Sequence, residues 1–131
     1  MRYDIKLIYD LCKELGLRGR MKSDKEIEIE SRDGAILRFQ NDERDEDCLV
    51  GFDGTPWHTH DDFIFVDSQS HYVEMDYMDV VAGLKDGRIL VCELWQTGQL
   101  KDRWLIHRDH NNEFDHMDEH DEIRVRRFSV S

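Results

Sequence analysis

Proline occurs once in this chain, at Pro56, and glycine only eight times. That excludes a Pro-rich linker and a collagen-like repeat. Cysteine is equally sparse. Cys12, Cys48 and Cys92 are odd in number and far apart, with no CxxC pair. Neither a zinc knuckle nor a thioredoxin-type centre is indicated. Each lies among apolar neighbours, which predicts buried, reduced thiols. No stretch approaches the roughly 18 apolar residues that span a bilayer. The opening MRYDIKLIYDLCKEL carries Asp4, Asp10 and Glu14 inside its apolar pattern. A secretory signal needs an uninterrupted apolar centre, so a cytoplasmic protein is expected. Phosphate-cradling glycine loops and the Gly-x-Ser-x-Gly elbow are missing as well.

What the chain has is acid. It contains 131 residues, the size of one globular domain. Charged residues make up 37% and the net charge is -12, while 13 aromatic residues suffice for a core. The charge is uneven. Residues 1–40 sum to +1, residues 41–122 to -16, and residues 123–131 to +3. Such a field repels nucleic acid and anionic membranes and attracts basic protein surfaces.

Periodicity predicts the elements. Leu7, Ile8, Leu11, Cys12 and Leu15 recur at helical spacing, so residues 3–15 read as an amphipathic helix ended by Gly16 or Gly19. KEIEIES alternates strictly, with Ile27 and Ile29 on one face. Asp33-Gly34 reads as a two-residue hairpin turn, and Ala35, Leu37 and Phe39 return. Residues 41–47 read as a solvated connection, 47–53 as an inner strand, 54–62 as a loop and 62–67 as a further strand. Val73, Tyr77, Val80, Val81 and Leu84 step by three or four, which gives a second helix at 72–85 with Gly87 beyond it. Its first half also suits a strand. Residues 88–95, apolar on both faces, read as a central strand; 100–108 and 122–130 follow as strands around a polar, acidic stretch at 109–122. Short connections imply antiparallel pairing. The expected class is α+β: a mainly antiparallel sheet of five to six strands with an N-terminal helix and a second helix near 72–85.

The sharpest local pattern is Pro56-Trp57-His58-Thr59-His60-Asp61-Asp62. Two His two apart project from one side of an extended segment, and a carboxylate beside them completes a ligand set. His58, His60 and Asp62 are therefore candidate ligands for a divalent transition metal. The run resembles the first half of the cupin metal motif over a short stretch only. The glutamate that follows in that motif and its proline-bearing second half are absent, so no cupin assignment is carried over. His107, His110, His116 and His120 form a second set, but Glu119 is misplaced for a His-Glu-x-x-His zinc motif. Phe114 stands where a calcium loop starting at Asp109 requires glycine.

Two function classes follow. The first is a non-enzymatic binding protein for a basic protein partner, of immunity or inhibitor type. Asp42, Glu43, Asp45, Glu46, Asp47, Asp61 and Asp62 would form its acidic rim, with Trp57 as the buried anchor. The second is a metal-binding protein or metal-dependent enzyme built on His58 and His60. A DNA mimic shares the charge but needs ordered acidic rows. Nothing in the residues decides the oligomeric state.

Overall fold

The computed structural model describes residues 3–42, 47–60, 62–115 and 117–129. Glu43, Asp45, Glu46 and Asp61 of the expected acidic rim, and His116, lie outside the described residues.

Helix α1 runs Ile5–Leu15. Asp4 caps its start by accepting the Leu7 N–H, and Gly16, at φ 75°, ends it in the left-handed conformation that glycine takes without strain. Its inward stripe is Ile5, Ile8 and Cys12; Leu7 lies well round the helix from that stripe and is 46% exposed. The expected stripe was therefore one position too wide on Leu7's side. Arg18–Ser23 forms β1, a strand the sequence did not announce because its apolar content is only Met21. Gly19 sits within it rather than at the helix end. A Cβ there would lie 2.8 Å from that of Cys12, so the glycine lets α1 approach the sheet.

β2 (Glu26–Glu30) and β3 (Ile36–Asn41) place Ile27, Ile29, Leu37 and Phe39 wholly inside. The connection is longer than two residues. Ser31 and Ala35 exchange bonds, and the Gly34 N–H returns to the Ser31 carbonyl at 3.0 Å with Gly34 at φ 90°. This is the three-residue hairpin with a left-handed third position. Asn41 is no solvated linker. It is buried, and its side-chain amide clasps the Tyr3 backbone in both directions, at 2.9 and 2.8 Å.

β4 (Cys48–Phe52) and the short β5 (His58–Thr59) complete a five-stranded antiparallel sheet in the order β1-β2-β3-β4-β5. β6 (Phe63–Val66) and β7 (Tyr72–Met75) pair as a two-stranded ribbon. Helix α2 then covers Tyr77–Asp86, with Asp76 capping the Asp79 N–H and Gly87 at φ 88° closing it. The cap explains why residues 72–75 fall to a strand: an Asp that caps starts the helix after itself. β8 (Ile89–Gln96), β9 (Gln99–His107) and β10 (Asp121–Arg127) form a third sheet in the order β10-β8-β9. The class is thus α+β with antiparallel pairing throughout, two helices and ten strands among the described residues. One buried cluster, from Tyr3 to Phe128, joins helices and sheets.

Candidate functional site

The loop before β5 is set by one glycine. Gly51 pairs with His58, and a Cβ on Gly51 would meet the Trp57 carbonyl oxygen at 2.8 Å. Only a bare backbone lets the loop fold back this closely. The Trp57 N–H donates to Asp102 Oδ1 at 3.0 Å, and its indole packs on Phe52. His58 and His60 emerge on the exposed side, ring centroids 5.4 Å apart and edge-on. His58 Nδ1 faces the Pro56 carbonyl at 3.2 Å; His60 Nδ1 faces the Cys48 carbonyl at 2.8 Å and Asp47 Oδ1 at 3.2 Å. Carbonyl oxygens only accept, so each Nδ1 carries a proton, and in a neutral ring the Nε2 lone pair is left for another partner. This is the way metal-ligating imidazoles are usually oriented. Asp62 does not join them: among the described residues no group of three or more His, Cys, Asp or Glu is placed to hold a metal ion.

Of the expected rim, Asp42 and Asp47 border a different cavity from the expected anchor Trp57. Asp42 and Asp47 are exposed, linked through the Asp42 N–H and Asp47 carbonyl at 3.0 Å, and border a cleft of about 570 Å³ with His60. Lys22 and Lys25 line the same cleft, so its charge is mixed. Trp57 instead forms part of a different groove, of about 280 Å³. Consecutive residues of β6, Phe63 to Val66, make one wall. Trp104, Leu105 and Ile106 of β9 make the other, with His110 and Glu113 beyond them.

This groove brings together two segments without lysine or arginine. Residues 62–79 carry five acids and residues 109–122 seven. They meet at the groove, and His110 lies near enough to Asp67 to favour its ionised form. Asp67 caps its own turn through the Gln69 and His71 N–H groups, each at 2.9 Å; against the effect of burial, these bonds hold its carboxyl below the ordinary range. Glu113 shows the opposite shift. Burial raises its carboxyl, against a bond to the Trp104 side chain, and Asp115 nearby raises it further. Seven large apolar side chains are exposed among the described residues, and five lie in these two segments: Ile64, Val66, Tyr72, Phe114 and Met117. Pairing of Val66 with Tyr72 puts Ile64, Val66 and Tyr72 on one outer face of the ribbon.

Sequence reasoning missed a second ionic feature. Glu93, in the middle of β8, is 1% exposed. Its carboxylate accepts from Arg103 Nε at 2.7 Å, Arg126 at 2.9 Å and the Trp95 indole at 3.1 Å. Burial opposes ionisation, but these donors and the two guanidinium charges hold its carboxyl below the ordinary range. The signal was the lone Glu in RILVCELW. The group ties β8 to β9 and β10. The thiols are unsuited to nucleophilic work: all three are buried, and burial pushes Cys12 and Cys92 up to about 12. His107, at the end of β9, accepts the Asp109 N–H on Nδ1 at 3.0 Å; burial first, and then the neighbouring His110, lower its pKa.

In comparison with known proteins, the chain matches no protein-family model, no curated protein and no solved structure. Among the described residues no helix is long and apolar enough to cross a membrane.

Proposed function

We propose that the chain is a non-enzymatic binding protein for a basic protein partner, in the manner of an immunity or inhibitor protein. One observation carries this reading: two lysine- and arginine-free acidic segments meet at a groove lined by exposed Ile64 and Val66, and the same segments expose Tyr72, Phe114 and Met117. Acid alone keeps a protein soluble. Acid around an exposed apolar patch is what a basic partner with its own apolar anchor would fit. The carboxylates steer the encounter, by roughly 10- to 1,000-fold in association rate, and the apolar groups hold the complex once formed. The reading moves the contact surface away from Asp42 and Asp47, whose neighbours include Lys22 and Lys25, toward the groove that contains Trp57. Capture by the tagless protein, identification of the bound protein and remixing of the two pure components test it. A one-to-one complex with a basic protein, forming more slowly as salt rises, is expected. An acidic partner, or association indifferent to salt, counts against the proposal.

His58 and His60 favour a second reading, a divalent transition metal held by their outward nitrogens. Two imidazoles fall short of the three protein ligands that catalytic zinc uses, so no metal chemistry is derived from them. Metal content of tagless protein, compared with His58→Ala, decides it. Stoichiometric metal lost in the variant favours this reading, and metal-free protein removes it.

A further inference from the structure

We propose that the groove takes an extended, basic segment of the partner as an added strand along the open edge of β6, with its alternate side chains directed to the aromatic floor and to Glu113. The inference rests on the partner-binding reading and specifies its mode.

The first ground is topological. β6 pairs only with β7, and β9 ends its own sheet, so each has one edge without a strand beside it among the described residues. These edges face the cavity. Side chains of a strand alternate between faces. A cavity bordered by four consecutive residues of β6 and three of β9 therefore looks onto the backbones, not onto one face of each. No backbone bond from Phe63–Val66 or from 104–106 runs to anything but a sheet partner among the described residues. Open edges of this kind are what strand addition uses. The ribbon is also short of partners, since two strands alone are marginal and a third would complete the sheet.

The second ground is chemical. The edge of β6 carries neither lysine nor proline, the usual guards against unwanted pairing. Trp57 and Trp104 supply apolar area within the groove, while Ile64 and Val66 stand exposed on β6 itself. Glu113 holds a half-buried carboxylate against Trp104, a place where a lysine or arginine side chain would relieve the burial of the charge. An incoming strand presents side chains with period two, so apolar and basic residues in alternation match both demands.

The test uses the whole chain and two short synthetic peptides of equal charge, one alternating Lys and Val, the other Lys and Gly. Trp57 and Trp104 report binding by fluorescence, and hydrogen exchange reports amides 63–66. The Lys–Val peptide is expected to bind about tenfold or more tightly than the Lys–Gly peptide. It should slow exchange at 63–66, lose binding in Ile64→Lys and weaken in Glu113→Gln. Ile64 is 63% exposed, so its substitution leaves the fold intact. Equal binding of the two peptides, no binding of the Lys–Val peptide, or binding without protection at 63–66 overturns strand addition. The charge-based reading then stands or falls separately, on whether a purified basic partner still forms a salt-sensitive complex.

Discussion

The outer face of the five-stranded sheet and the surface around β6 and residues 109–122 are both rich in acid, yet they are opposite in kind. On the sheet, Arg38 reaches Glu26, Glu28 and Asp53, Arg18 reaches Glu30, and Lys22 reaches Glu28, all within 4 Å. Each carboxylate there has a cation in cross-strand or diagonal reach, and little field extends beyond about one screening length. Around β6 and residues 109–122 arginines reach only the ends of the second segment, Arg108 to Asp109 and Arg124 to Glu122; among the described residues the other ion partners there are histidines, His71 for Asp67 and His120 for Glu119. Glu74, Asp76, Asp79, Asp115 and Asp118 meet no lysine or arginine in an ion pair among the described residues, so no fixed cation cancels their charge. A net charge for a whole chain therefore says little about recognition; the distance from each acid to a cation decides it.

The largest effect expected from breaking this contrast lies at neither surface but beneath them. Arg103→Ala should remove the shorter of the two guanidinium bonds to buried Glu93. Deleting one partner of a buried pair costs about 3–5 kcal/mol, because the remaining charge stays desolvated. Chemical denaturation should show that loss. The pH dependence follows from the lowered carboxyl. Stability from Glu93 is present above the ordinary glutamate range and is lost as pH falls through its folded value. Acid unfolding of the parent should include this loss, and the variant should show less of it. A variant as stable as the parent would mean that Arg126 alone satisfies Glu93.

Gly51→Ala comes next. The added methyl would press on the Trp57 carbonyl, and overpacking of this kind costs about 1–3 kcal/mol. Near-UV circular dichroism should report displaced aromatic packing. An unchanged signal and unchanged stability would show that β5 shifts freely, and that the groove's Trp57 wall is soft.

Much of the frame was readable beforehand, and the reason is that burial writes a period. Ile27 and Ile29 alternate with Glu26, Glu28 and Glu30, and all the strand had to do was keep its apolar face inward. β1 was unreadable because its inward side offers only Gly19 and Met21, and one apolar side chain sets no period. The spacing predicts a helix start at 72, five residues before Tyr77, because Tyr72 and Val73 extend the helical spacing by accident, while Asp76 carries the true boundary. At the site, Trp57 and the two histidines stood out as a motif. The groove did not, because its walls come from β6 and β9, some forty residues apart and joined only by folding.

Charge reversal sharpens the contrast directly. Glu74→Lys, on the exposed face of the ribbon, should slow association with the basic partner about tenfold at low salt. Glu30→Lys on the sheet should change it far less, since Arg18 already offsets that charge. Stopped-flow association across a salt series separates the two. Equal slowing by both would erase the distinction between the surfaces.

The smallest effect is also a claim about that distinction. Arg18 and Glu30 face each other at 3.1 Å across β1 and β2, with side chains 63% and 45% exposed. Water solvates both partners well and salt screens them, so their coupling should not exceed about 1 kcal/mol in a double-mutant cycle. The pair would then serve to cancel charge without adding much stability, as an ordinary solvated sheet face does. A coupling well above that would mean that the sheet's ion pairs form a cooperative network. In that case reversing Glu30 would disturb the sheet itself, and the comparison of association rates would have to use Asp10, offset by Lys6 on α1, as the balanced control.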